Sequence, residues 1–292
     1  MNKYYIAQCQ TTDDLLHQGL YFEPKEKLGT AILYVHGLSS VFHGHMGTCD
    51  AFAEIGEQTG IGFASFNNRG FNLISGIQKK DPTALTGINH VPGGAGQEVF
   101  EECVLDIDAG ITFLGNFGYK NVVLVGRSTG ANKVCFYAGT VDDPRVLGVV
   151  LNSSTSDRLT KPKEQVEREL VFMKKMITEG KENELFTGYS FFPMTPKRYI
   201  SLFEKGSKED VFDYGDEKPE MKIFSQIKKP LFVILGEKDE HVDRSVADVI
   251  KVFDGKTNSS KYKSLIMSGA LHGFEGYEQD LAVTICSWIK TL

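Results

Sequence analysis

No apolar run in the chain approaches the roughly 18 residues that a membrane-spanning helix requires. The opening stretch, MNKYYIAQCQTTDD, meets polar and acidic residues before an apolar signal region can form, so a soluble, cytoplasmic protein is expected. Basic clusters and Lys/Arg stripes interleaved with aromatics are also missing. With a net charge of −6 and both signs interspersed, the chain has no means of neutralising a run of phosphates, and nucleic acid is not an expected partner. Its five cysteines (Cys9, Cys49, Cys103, Cys135 and Cys286) form no C-x-x-C pair and no metal-ligand spacing, and read as reduced, mostly buried thiols. There is no internal repeat and no low-complexity tract. What remains is a chain of 292 residues, 41% hydrophobic, long enough for one large α/β domain that carries an insertion.

Residues Lys3 to Cys9 and Gly19 to Phe22 read as two strands joined by a polar turn at Asp13 and Asp14, an antiparallel start to a sheet. Thr30 to Val35 (TAILYV) is a continuous apolar run of the kind a central parallel strand shows, and it stops at His36-Gly37-Leu38-Ser39-Ser40. A helix over Gly47 to Gly60, a strand over Gly62 to Phe66 and its exit loop Asn67-Asn68-Arg69-Gly70 follow. Gly76 to Gly96, rich in Gly, Pro and Asn and without a period, reads as a long surface loop. From Glu98 to Phe117 the apolar residues Phe100, Val104, Ile107, Ile111 and Leu114 recur at helical spacing. Strands and helices then alternate, which argues for βαβ units and a mainly parallel sheet covered on both faces. The alternation breaks between about Thr155 and Ile227, where a charged amphipathic helix (Lys163 to Glu179) precedes an aromatic, proline-rich stretch and an acidic loop. The expectation is a core domain of residues 1–154 and 228–292 with a cap, 155–227, inserted on top.

Within the core one stretch stands out, Asn121 to Tyr137. A β-branched strand runs into Gly126-Arg127-Ser128-Thr129-Gly130 and then directly into a helix. In a chain with 30 glycines the bare G-x-S-x-G pattern is weak; flanked by strand and helix it describes a turn so tight that the serine takes a strained conformation and points outward. Ser128 is the candidate nucleophile. A serine hydroxyl needs a base, and the base needs a third group to fix its tautomer. For this turn the partners are expected in the order serine, acid, histidine, each after a later strand. Strand Pro230 to Leu235 ends at Gly236-Glu237-Lys238-Asp239-Glu240-His241, and strand Ser264 to Met267 at Ser268-Gly269-Ala270-Leu271-His272-Gly273-Phe274. His272 is the candidate base. Glu237, Asp239, Glu240 and Asp243 crowd the acid position; Asp239 is favoured, with Asp157 as the fallback. Backbone N–H groups of Leu38 and Thr129 are the expected oxyanion donors, and His36 is expected to order its loop.

Together, His36-Gly37, Asn67-Asn68-Arg69-Gly70, Gly126-Arg127-Ser128-Thr129-Gly130, Gly236-Glu237-Lys238-Asp239 and His272-Gly273-Phe274 resemble the α/β-hydrolase superfamily over nearly the whole chain except the insertion. The resemblance implies an eight-stranded, mostly parallel sheet flanked by helices, with the triad at its C-terminal edge. It also implies a cofactor-independent serine hydrolase of the esterase and lipase type, acting on a small-molecule carboxylic ester through an acyl-enzyme. More loosely, the Ser-Thr-Gly turn and the Asp239-Glu240 loop are similar to those of fungal siderophore esterases. The same triad serves amides, thioesters and carbon–carbon bonds, and a ligand-binding protein on this scaffold is a further alternative.

Arg127 departs from the residues common before the nucleophile and either places a permanent charge near the site or faces a neighbouring helix. His43-Gly44-His45 lacks the carboxylate and spacing of a metal site, so no metal is expected, and His43 and His45 read as entrance residues. Arg69, Phe191 and Phe192 are candidate substrate contacts; packing of the cap onto the sheet suits the aromatics equally. Aromatic and apolar cap residues suggest an apolar moiety of modest size, and the acidic charge of the cap disfavours strongly anionic substrates. Oligomeric state is left open.

Overall fold

The computed structural model describes residues 4–292; Lys3, where the first expected strand begins, lies outside them. Ten strands form one sheet: β1 (Tyr5–Gln10), β2 (Leu15–Phe22), β3 (Thr30–Val35), β4 (Gly62–Phe66), β5 (Ser75–Lys80), β6 (Ile88–Gly93), β7 (Asn121–Arg127), β8 (Val146–Asn152), β9 (Leu231–Gly236) and β10 (Tyr262–Met267). Their order is β10-β9-β8-β7-β3-β4-β2-β5-β6, with β1 paired to β2. From β10 to β4 every pair is parallel, so the exits of β3, β7, β8, β9 and β10 all lie along one edge. β2 is antiparallel to β1, β4 and β5. The parallel strands read as unbroken apolar runs because both faces are covered: all six residues of β9 are buried, as are all but the first of β7.

Of the seven helices in the described residues, five flank the sheet. On one face α1 (Met46–Thr59) and α7 (Glu278–Ile289) cover a cluster that includes Phe52, Phe63, Val123, Ile234 and Trp288. On the other, α2 (Cys103–Asn116), α3 (Thr129–Thr140) and α6 (Val246–Lys256) cover Leu33, Leu124, Leu151 and Val233. Local chemistry sets several helix ends. Gly60 closes α1 at φ 71°, a left-handed conformation that a glycine adopts without strain, and the Ser245 hydroxyl caps α6 by accepting from the Asp248 N–H.

Between β8 and β9 lie α4 (Lys163–Thr178) and α5 (Pro196–Phe203), the latter capped by Thr195 with Pro196 in its first turn. Val166, Met173, Phe192, Met194, Tyr199, Leu202 and Phe203 form a third cluster, which takes in Ala95 and has Leu38 packed against it. The later part of the segment, Val211 to Ile227, packs instead into the cluster under α3 and α6.

Three expectations need correction. The stretch Gly76–Gly96 is not a structureless loop, because most of it is the antiparallel hairpin β5–β6, paired from Ser75↔Gly93 to Lys80↔Ile88. Only Ile77 and Gly93 of these strands are buried, so both faces meet water and no alternation of polar and apolar residues marks the hairpin. The sheet accordingly has ten strands where the resemblance implies eight. The helix expected from Glu98 begins at Cys103, after a short 3-10 turn (Phe100–Glu102). Val99 is extended, and the Glu98 carboxylate is drawn inward by Lys133 at 2.6 Å.

Candidate active site

Ser128 sits between β7 and α3 at φ 55° and ψ −129°, a strained conformation for a residue with a Cβ. The flanking glycines are sterically required. A Cβ on Gly126 would stand 2.3 Å from the Gly130 carbonyl oxygen, and one on Gly130 would stand 2.1 Å from that of Val35. The Ser128 N–H donates to the Asn152 carbonyl at 3.0 Å, which ties the turn to the neighbouring strand. The loop after β3 lies directly over it, since a Cβ on Gly37 would be 3.0 Å from the Ser128 Cβ.

That loop is held from below by His36. Its Nδ1–H donates to the Gly37 carbonyl at 2.9 Å and its Nε2 accepts from the Asn68 N–H at 3.3 Å. Burial, reinforced by the nearby Lys133 charge, pushes its pKa down to about 3, so it stays neutral and keeps this tautomer. Leu38, next along, presents an N–H with no acceptor among the described residues. Thr129 occupies the first position of α3, where an N–H has no intrahelical acceptor.

The structure sorts the crowded acids after β9. Both oxygens of Asp239 face Nδ1 of His272, at 2.9 and 3.0 Å. A carboxylate only accepts, so the proton is on Nδ1 and Nε2 is the free, basic nitrogen. Both residues are buried. Glu240 accepts from the His272 backbone N–H at 3.0 Å; Glu237 accepts from Ser268 Oγ and the Gly269 N–H; Asp243 pairs with Arg244. Asp157 makes no contact with His272. Its Oδ2 is enclosed without a partner among the described residues, and burial, then Glu209, raise its pKa to about 7.

The other candidates separate. The Arg127 Nη1 donates to the ring of His45. Burial, then the charge of Arg127 and then that of His272, lower the His45 pKa to about 4, so His45, Arg127 and His272 share one neighbourhood. His43 is exposed, edge-on to Phe42. Arg69 is not brought to Ser128: its guanidinium is held on α2 by Asp106, at 2.9–3.2 Å, and by Glu102. Phe192 is 3% exposed within the third cluster, which makes it packing, while Phe191 is 75% exposed.

Three features were not read from the sequence. Ser153, at φ 52°, donates its hydroxyl to the His272 carbonyl at 2.7 Å and joins the β8 exit to the histidine loop. The ring of His241 stands edge-on to that of His272, 4.4 Å between centroids. Beneath the site runs a buried ionic chain: Lys133 Nζ on Glu98 at 2.6 Å and on Asn68 at 2.9 Å, Arg198 on the other Glu98 oxygen at 2.8 Å, and Arg198 on Glu209 at 3.1 Å. The polar run Asn152-Ser153-Ser154-Thr155-Ser156, almost wholly buried, was the visible signal for the first of these.

Solved structures share this architecture. The esterase Pf2001 of Pyrococcus furiosus is 15% identical, covers 99% of this chain and 91% of its own, and aligns with a TM-score of 0.61. For a carboxyl esterase from Bacillus coagulans in complex with glycerol the values are 14%, 100%, 99% and 0.64. For the siderophore hydrolase EstB from Aspergillus fumigatus they are 10%, 99%, 98% and 0.67. At this level of identity the likeness is one of fold, the α/β-hydrolase fold. No curated protein matches the chain in sequence. The profile of a family described as a protein of unknown function (DUF1749) matches residues 94–291, about two-thirds of the chain, and the chain therefore belongs to that family.

Proposed function

We propose that the protein is a serine hydrolase that cleaves a small-molecule carboxylic ester through an acyl-enzyme. The observation that carries this reading is the strained Ser128 under the Gly37 loop, on the same sheet edge as an Asp239–His272 pair whose free nitrogen is Nε2. Ser128 Oγ attacks the ester carbonyl while His272 Nε2 takes its proton. Asp239 holds the tautomer and stabilises the imidazolium that forms. The carbonyl oxygen, now anionic, is received by the N–H groups of Leu38 and Thr129, the latter at a helix N-terminus whose dipole favours negative charge. His272 then protonates the departing alcohol, and water, activated by the same nitrogen, releases the acid.

Support for an ester over other acyl bonds comes from the esterase and siderophore hydrolase names of the structural neighbours. Residues 155–227 act as a cap in this reading. Their third cluster packs on Leu38, so the segment that shapes the substrate's surroundings also braces a donor of the oxyanion hole. Two clefts of about 730 Å³ run along the insertion, and neither is lined by Ser128, Asp239 or His272. The test is the intact mass of the wild-type protein and of Ser128→Ala after exposure to a fluorophosphonate probe. One adduct on the wild type and none on the variant is expected. Unlabelled wild type, or labelling that survives in Ser128→Ala, would remove the nucleophile assignment.

A further inference from the structure

Three arginines of the chain are buried, and one of them lacks a close counter-ion. Arg69 holds Asp106 at 2.9 Å, and Arg198 holds Glu98 at 2.8 Å and Glu209 at 3.1 Å. Arg127 is 9% exposed, yet its one carboxylate partner among the described residues, Glu275, stands 3.8 Å away on a side chain that is 67% exposed. Its Nη1 donates to His45, which is neutral, and its Nε has no partner among the described residues. Other polar groups beside it are buried with it. Asn152, directly across the strand pair from Arg127, is fully buried with both amide atoms unpaired. The Tyr34 hydroxyl, on the adjacent strand, is buried as well; burial raises its pKa, and the charge of Arg127, together with a hydrogen-bond contact to it, opposes that rise.

A buried guanidinium without a counter-ion is costly to the fold, and this one is adjacent in sequence to Ser128. We infer that Arg127, with His45 and Asn152 beside it, forms a subsite for a carboxylate carried by the substrate close to its scissile carbonyl. The assignment rests on the serine-hydrolase reading for what happens at the carbonyl, and on this buried group alone for the anion. It revises the expectation drawn from net charge. Acidic residues on the cap rim act through water and are screened beyond about 8 Å at physiological salt, whereas a guanidinium beside the ligand acts at hydrogen-bond distance in a medium of low dielectric constant. Glu275 competes for the same guanidinium from the solvent side.

The experiment compares hydrolysis of the monomethyl esters of succinate, glutarate and adipate with that of the dimethyl ester of each acid. The wild type should favour at least one monomethyl ester in kcat/KM by about tenfold or more, the size of one charge-assisted hydrogen bond. Arg127→Met should bring that ratio close to unity, Arg127→Lys should keep part of it, and Glu275→Gln should raise it. A wild-type ratio near unity for all three acids, or a ratio that survives Arg127→Met, overturns the inference. Should Arg127→Met fail to fold, the Arg127→Lys and Glu275→Gln shifts decide, and no change in either counts against it. If no ester is turned over, the hydrolase reading fails by itself. Calorimetric titration of Ser128→Ala with the same esters then decides the subsite: binding of a monomethyl ester that is weakened by Arg127→Lys supports it, and equal or absent binding overturns it.

Discussion

The buried chain Lys133–Glu98–Arg198–Glu209 makes a quantitative prediction about how the insertion is fixed to the core. Glu98 and Lys133 belong to the core, the latter one turn beyond Ser128 on α3, while Arg198 is on α5 and Glu209 follows it. All four side chains are at most 1% exposed, and two carboxylates balance two cations. Arg198→Met removes one cation, the Arg198 Nε hydrogen bond to the Ala95 carbonyl at 2.8 Å, and both carboxylate contacts. Glu98 keeps Lys133, but Glu209 is left with the Ser201 hydroxyl at 2.7 Å and no charge partner. Breaking one partner out of a buried pair costs about 3–5 kcal/mol. With about 2.1 cal/mol/K per residue of unfolding entropy, the 292 residues give an unfolding entropy near 0.6 kcal/mol/K, so the midpoint of thermal unfolding should fall by about 5–8 °C. Removing both charges, in Arg198→Met with Glu209→Gln, should recover at least half of that loss, because the expense lies in the stranded carboxylate and not in the missing attraction. Thermal unfolding followed by circular dichroism on the wild type, both single variants and the double variant reads the coupling directly. A single-variant loss below about 1 kcal/mol, or a double variant as unstable as the sum of the singles, would refute the reasoning.

Further expectations concern the site and its pH response. Asp239→Asn should lower kcat by about 10⁴-fold, since the amide cannot hold the His272 tautomer, while Glu240→Gln, which touches only the His272 backbone N–H, should cost less than about tenfold; steady-state kinetics on one ester ranks them. Gly130→Ala would place a methyl 2.1 Å from the Val35 carbonyl, which cannot give way within the sheet, so the variant should lose probe labelling and unfold well below the wild type. Asp157 has a folded pKa of about 7 against 3.8 for the free group, so the folded state binds the extra proton between these values. Its contribution to stability is complete below about pH 4 and is lost as pH rises to about 7. Asp157→Asn should therefore flatten stability across that window and stabilise the protein above it by about 1–3 kcal/mol, measured by urea unfolding at several pH values. An unchanged pH dependence in that variant would show that the carboxyl is not held protonated.

What the sequence determined by itself was whatever local pattern can encode. Continuous apolar runs such as TAILYV and NVVLV mark strands buried on both faces. The glycines flanking Ser128 mark a corner that tolerates no Cβ, and the positions of Asp239 and His272 after successive strands put their loops on one sheet edge once those strands are parallel. The hairpin β5–β6 was invisible because an edge pairing held by backbone hydrogen bonds, with water on both sides, imposes no period on its side chains. Only the tertiary structure decided which of four neighbouring acids faces the His272 ring, since Glu237, Asp239, Glu240 and Asp243 differ in where a turn points them and not in chemistry. It also decided that Arg69 is held by Asp106, 37 positions away in sequence, while Arg127 lacks a close carboxylate. Counter-ions are chosen by distance in space, and the sequence specifies that distance only through the completed fold.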